Sequence, residues 1–227
     1  MTQLIVALDE PDYGHARVVV ERTAPAVEWY KVGYEAYYGY GDLILTLLRE
    51  AGKQIFLDLK LHDIPNTVTA AVRASARSGA TLLTVHAGGG ATMLSAAVAA
   101  KTAGLRIIAV TVLTSLTAED LRSVGIASDP KDQALRLALL ARNCGIDGVV
   151  CAVEDAARIR RECGPGFAIV CPGVRPPGAP AGDQRRVATP ADAALAGADF
   201  IVVGRPVTKS DDPGAAARAI VDQLRLS

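Results

Sequence analysis

Eight short apolar runs recur along this chain, a few tens of residues apart, with helical patterns between them. In order they are "LIVALD" from Leu4, "WYKVG" from Trp29, "IFLDLK" from Ile55, "LLTVHA" from Leu82, "IIAVTVL" from Ile107, "GVVC" from Gly148, "AIVCPGV" from Ala168 and "FIVVGR" from Phe200. Their length is that of strands. Their apolar residues stand side by side rather than alternating with polar ones, as in a parallel sheet covered on both faces. The intervening segments are Ala-rich and amphipathic, among them "TVTAAVRASARSGA", "DQALRLALLARNCG" and "DPGAAARAIVDQLRL", where Pro213 stands at a helix start.

Eight β-α units in 227 residues match an α/β fold of the (β/α)8 TIM-barrel type, whose usual length is about 250 residues. The expectation is one barrel domain over residues 1–227, because no interdomain linker or low-complexity segment interrupts the pattern. An open, doubly wound sheet is the competing architecture. It calls for G-x-G-x-x-G after the first strand, where this chain has "ALDEPDYG". Gly52, Gly79, Gly104, Gly145 and Gly197 each stand just before a strand, at positions suited to closing a helix in the left-handed conformation.

Composition narrows the function classes. With 24 basic and 24 acidic residues there is no charge excess to suggest a nucleic-acid or membrane surface. Half the residues are hydrophobic but only 4% are aromatic, so the apolar content is the Ala, Val, Leu and Ile of a wrapped sheet. Cys144, Cys151, Cys163 and Cys171 form no C-x-x-C pair and have no histidine at ligand spacing, which reads as free thiols in a reducing compartment. The start "MTQLIVALDE" enters a strand at once, without the basic and then apolar pattern of a leader. A cytoplasmic location is the expectation.

The third run, within "FLDLKLHDIPNT", ends in charges of both signs. In a (β/α)8 barrel the chemistry sits at the C-terminal ends of the strands. Asp9 ends strand 1, Lys31 lies near the end of strand 2, and Asp58 and Lys60 end strand 3, two residues apart and so on one face. Three neighbouring strands would bring these four charges together at the barrel mouth. Buried charges without partners cost several kcal/mol each, so such a set must compensate itself or a ligand. It forms a fixed field suited to stabilising charge that develops in a transition state. The bland alternative is a solvated cluster on a loop.

The loops after strands 7 and 8 are the usual phosphate corner of this fold. After strand 7 comes "CPGVRPPGAPAGDQRRVATP", long, rich in Pro and Gly, and carrying Arg175, Gln184, Arg185 and Arg186. Loops of that length are commonly functional, often as lids. After strand 8, "VVGRPV" offers Gly204, where backbone N–H groups can approach an anion, and Arg205, a bidentate fork. Strand 5 ends in "TVLTS", which places Thr111, Thr114 and Ser115 near the mouth as hydroxyl donors. His86 is open to two readings, a general base or a histidine tied to local hydrogen bonds. His15 falls in a helical pattern, at the surface.

Taken together, "ALD", "KVG", "FLDLKLHDIPNT", "TVLTS", "PGVRP…GDQRR…TP" and "VVGRPVT" closely resemble the orotidine 5′-monophosphate decarboxylase family, from Leu4 to the last helix. The resemblance implies a cofactor-free, metal-free, homodimeric (β/α)8 enzyme of pyrimidine synthesis that converts orotidine 5′-monophosphate to UMP and CO2. By position, Lys60 resembles the residue that protonates C6 of the pyrimidine, with Asp58 and Lys31 as its charge partners. Lys31 also resembles the ribose-contacting lysine. Asp63 and Thr67 resemble residues contributed to the neighbouring subunit's site. Asp9 resembles a ribose-hydroxyl ligand, Thr114 a pyrimidine contact, and Arg175, Gln184, Gly204 and Arg205 the lid and phosphate set.

Two rivals share features of this pattern. The Mg2+-dependent sugar-phosphate decarboxylases and aldolases related to 3-keto-L-gulonate 6-phosphate decarboxylase have the barrel and a D-x-K-x-x-D element. The I-P-N-T continuation and the Gln-bearing lid point away from them. A non-catalytic phosphate-ligand binder on a degenerate barrel would be expected to lose a charge from the Asp-Lys-Asp set, and all three stand here.

Overall fold

Eight parallel strands close on themselves in sequence order. In the computed structural model, which describes residues 1–177 and 188–225, they are β1 (Gln3–Ala7), β2 (Trp29–Val32), β3 (Gln54–Leu61), β4 (Leu82–His86), β5 (Arg106–Val110), β6 (Gly148–Val150), β7 (Ala168–Cys171) and β8 (Phe200–Val203). Each of the eight apolar runs overlaps one of them. The barrel closes where Gln3 to Val6 of β1 pair with Phe200 to Val203 of β8. The five glycines expected to end helices all have positive φ.

Two apolar layers explain the composition. Ile5, Ala7, Phe56, Leu82, Ile108, Ala168, Val170, Phe200 and Val202 fill the barrel interior, with Trp29 and Val150 against them. The alternate strand residues, such as Val6, Tyr30, Leu57, Leu83 and Ile169, face outward into the larger core beneath the helices. With both faces covered, no strand can alternate apolar with polar. Space inside is tight enough to dictate residue size: a Cβ on Gly148 would collide with the Ala168 carbonyl.

Carboxylates fasten the floor, at the N-terminal ends of the strands. Asp147, just before β6, accepts the Ile107 N–H at 2.8 Å and the Lys101 ammonium at 2.8 and 3.0 Å. Asp199, just before β8, accepts the Ile169 N–H at 2.8 Å and Arg160 at 2.6 Å. Each ties a strand to its predecessor and to the helix before it. Among the described residues no helix is long and apolar enough to cross a membrane.

Candidate active site

At the opposite end of the barrel, the strand-end charges form one chain of alternating sign. Lys31 Nζ lies 2.9 Å from Asp9 Oδ1 and 3.8 Å from Asp58 Oδ2. Lys60 Nζ lies 2.8 Å from the same Asp58 oxygen. Asp58 is buried and both lysines are largely covered, so these pairs stand away from bulk solvent. Gly33 belongs to the arrangement as well, since a Cβ there would meet Lys31 Nζ at 2.7 Å and Asp9 Oδ1 at 3.0 Å.

Asp58 and Lys60 meet, but not on a regular strand. The pairing of β3 with β4 steps from Leu57↔Leu83 to Leu61↔Val85, so Asp58, Leu59 and Lys60 stand opposite Thr84 alone. Within this bulge Lys60 has φ 44°, the one positive φ outside glycine among the described residues. A side-chain-bearing residue adopts that conformation at a cost of about 1–3 kcal/mol, and such residues cluster at functional sites. Bulges beside active sites re-aim side chains. Here the bulge turns the Lys60 ammonium back onto Asp58. The Lys60 N–H, withdrawn from the sheet ladder, donates to Thr84 Oγ1 at 2.7 Å, and the Thr84 hydroxyl donates to Asp58 Oδ1 at 2.9 Å.

Two cavities open at this mouth and share Lys31, Pro172 and Val202 in their walls. One, of about 290 Å³, is bounded by Asp58, Lys60, Thr114, Ser115, Cys151 and Phe56 among others. The second, of about 440 Å³, runs past Asp9 and Glu35 to Arg175, Gly204 and Arg205. A mixed-charge end thus connects to a basic end. Gly204 caps the four-residue helix Arg205–Thr208, and Arg175 is buried, its Nη1 donating to the Val174 carbonyl.

The remaining candidates fall out differently. Asp63 is exposed on the turn after β3, where its Oδ1 accepts the Ile64 N–H, and within the chain no ion pair joins it to Lys60. Thr67 is exposed on the helix Pro65–Arg77. Gln184, Arg185 and Arg186 lie outside the described residues. The two ends of that segment are joined, with the Arg175 N–H donating to the Ala188 carbonyl at 2.9 Å. Thr111 corrects the expectation of a mouth-facing donor. β5 ends one residue earlier, and the Thr111 hydroxyl, buried, donates to the Val150 carbonyl at 2.8 Å. His86 takes the local reading: its Nδ1 accepts the Gly88 N–H, and its ring stacks on His62 at 5.3 Å. Burial first, then the nearby His62 and Lys60, hold its pKa below the ordinary histidine value. His15 is less detached than expected, because its Nδ1 lies 2.8 Å from buried Glu10.

Thr84, Gly33 and Tyr34 join the site without having been singled out in the sequence. Tyr34 holds the bulge from the other side: its hydroxyl donates to the Leu59 carbonyl at 3.0 Å, and Lys60 Nζ stands 5.4 Å from its ring centre. The only hint in the sequence was proximity, since Gly33 and Tyr34 follow directly on "KV" of strand 2. Among the described residues no three His, Cys, Asp or Glu side chains come together in a metal-holding group.

Comparison with known proteins gives one consistent answer. Residues 2–220 match the model of the Orotidine 5′-phosphate decarboxylase / HUMPS family. The orotidine 5′-phosphate decarboxylase of Anaeromyxobacter sp. (strain K) is 51% identical over 222 residues, covering 98% of both chains. That of Sodalis glossinidius is 48% identical over 226 residues, covering 98% of this chain and 90% of the relative. The crystal structure of orotidine 5′-phosphate decarboxylase from Lactobacillus acidophilus superposes with a TM-score of 0.87 at 36% identity, covering 99% of each chain.

Proposed function

We infer how the site works from one premise: the chain belongs to the Orotidine 5′-phosphate decarboxylase / HUMPS family. It is a carboxy-lyase of pyrimidine biosynthesis that decarboxylates orotidine 5′-monophosphate to UMP and CO2. The observation that carries the mechanistic reading is the Lys60 ammonium, 2.8 Å from Asp58 and in the wall of the smaller cavity.

The pyrimidine occupies that cavity beside Thr114, the ribose lies along Asp9 and Lys31, and the phosphate goes to Arg175, Gly204 and Arg205 with Gln184. When the C6–carboxylate bond breaks, its electron pair stays in the ring plane at C6, where no π-system can spread it. CO2 departs, and Lys60 first stabilises the pair by its charge and then donates a proton to it, leaving a neutral amine on the enzyme and UMP in the cavity. Asp58, itself held by Lys31, fixes the ammonium before the reaction starts, so little reorganisation is needed when charge develops. The phosphate is far from the reacting carbon. Its binding energy can be used to position the ring, which raises kcat rather than only lowering KM.

The functional unit in this reading is a homodimer that lends Asp63 and Thr67 to the neighbouring site. Asp63 is exposed and unengaged with Lys60 in its own chain. Its chain neighbour Ile64 is 66% exposed, and the stacked rings of Tyr34 and Tyr38 are exposed at 47% and 80%. Exposed apolar groups of this size suit a protein–protein contact. The four cysteines form no disulfide, which fits a reducing, cytoplasmic setting. The decisive assay follows the absorbance of orotidine 5′-monophosphate with EDTA present. Turnover undiminished by chelation is expected. Activity that requires Mg2+ would favour a sugar-phosphate type of chemistry and end this reading.

A further inference from the structure

We propose that Thr84 is a positioning residue for the proton-donating lysine, acting through both ends of the β3 bulge at once. The inference rests on the reading of Lys60 as proton donor and adds to it what holds that lysine in place.

Hydrogen-bond inventory alone fixes how the hydroxyl is used. Lys60 N–H can only donate, so Thr84 Oγ1 accepts at 2.7 Å. The Asp58 carboxylate, which takes two ammonium groups on Oδ2, accepts here too, so the single hydroxyl hydrogen points at Oδ1, 2.9 Å away. Thr84 is fully buried, so no solvent molecule competes for either bond. One oxygen therefore links the backbone of the proton donor to the side chain of its carboxylate partner.

The bulge gives the link its purpose. A lysine gains nothing locally from φ 44°, and with its N–H out of the ladder the residue would relax to extended backbone unless something held it. Thr84 is the residue opposite the bulge in the register, and it supplies the acceptor that the ladder withdraws. Its donated bond occupies Asp58 Oδ1, which leaves Oδ2 to face Lys60 and Lys31. Without the hydroxyl, a part-buried N–H and a buried carboxylate oxygen both lose a partner, and the ammonium loses its fixed approach to C6. An error of about 1 Å at such a position lowers a rate on the order of 10²-fold.

The test compares Thr84→Val, a near-isostere without the hydroxyl, with Thr84→Ser, which keeps it. Thr84→Val is expected to lower kcat roughly 10²-fold while KM for orotidine 5′-monophosphate and Kd for UMP stay within about threefold, because the phosphate contacts lie at the far end of the trough. Thr84→Ser should recover most of the lost kcat. A Thr84→Val enzyme turning over within about threefold of wild type overturns the proposal. So does a Thr84→Ser enzyme as slow as Thr84→Val, since packing of the methyl group would then be the cause. If Thr84→Val does not fold, Thr84→Ala removes the hydroxyl without adding bulk and is judged by the same kcat criterion. A Lys60→Ala enzyme that keeps a tenth of wild-type turnover would overturn the underlying reading of the proton donor instead, so the two failures are distinct.

Discussion

Both ends of this barrel hold aspartates against lysine or arginine, yet the two ends use the pairing differently. On the floor, Asp147 and Asp199 each accept a backbone N–H as well as a cation. Their charge is spent on fastening one strand to the next. At the mouth, Asp58 accepts from no backbone group among the described residues. It receives Lys31, Lys60 and the Thr84 hydroxyl, and the lysine it holds stands at a backbone angle that costs energy. The same ion-pair chemistry thus stabilises the fold at one end and, at the other, stores a preorganised field beside a cavity. Stability and function have been separated along the strand axis, as the fold allows.

The largest effect expected tests that separation directly. Lys60→Ala should lower kcat by ~10⁴-fold or more, since both the charge and the proton source are lost, while UMP binding persists. On the floor, Lys101→Ala removes an ammonium from an equally close aspartate pair and should leave kcat within about twofold while lowering the unfolding midpoint. Steady-state kinetics and urea denaturation of the two variants read both arms. A Lys60→Ala enzyme with a tenth of wild-type turnover would remove the proton donor from the mechanism.

Next in size is Arg205→Ala, at the basic end of the trough. Loss of a charge-assisted contact to phosphate is expected to lower kcat/KM for orotidine 5′-monophosphate by about 10- to 100-fold. The same substitution should barely change the slow turnover of orotidine, which has no phosphate to lose. An equal loss with both substrates would contradict the phosphate assignment.

The two ends were not equally legible in the sequence. Every strand could be placed because a sheet buried on both faces leaves unbroken apolar runs, and the strand-end charges interrupt those runs visibly. The mouth's finer construction left no such mark. A glycine advertises positive φ, but Lys60 adopts it with a side chain that gives no warning, and only the register with β4 exposes the bulge. Thr84 looks like any β-branched strand residue. Gly33 matters through what Lys31 and Asp9 do in space, since a Cβ there would displace the ammonium from its place, and not through its own backbone. Thr111 misled for a related reason: its place at the end of the fifth apolar run suggested a donor at the mouth, but β5 stops at Val110 and the hydroxyl closes the barrel wall.

A floor substitution gives the converse of Lys60→Ala. Asp199→Ala leaves the Ile169 N–H and the Arg160 guanidinium without their shared acceptor. A hydrogen bond to a charged group is worth about 1.5–3 kcal/mol, and partial exposure of Asp199 puts the expected loss of unfolding free energy toward the lower figure. Activity of the folded fraction should be unchanged. Denaturation and kinetics on the same sample decide it, and a fall in kcat without a fall in stability would erase the distinction between the two ends.

Glu10 gives the smallest effect and the sharpest test, because it follows Asp9 at the mouth but pairs its cations outside the walls of the two cavities. It is fully buried, and its Oε2 takes Lys209 and His15 at 2.8 Å each. Burial by itself would push its pKa up, but the hydrogen bonds, Lys209's foremost, outweigh it and hold the carboxyl below the usual value of 4.5. A depressed folded-state pKa stabilises the fold at pH values above the unfolded-state value, and that contribution disappears as pH falls through the folded one. Wild type should therefore exceed Glu10→Gln in unfolding free energy at neutral pH, and the gap should narrow as the pH drops below about 4.5. A gap independent of pH would mean that Glu10 contributes by shape alone, and that ion pairing near the mouth of this barrel does not extend to holding the strand ends in place.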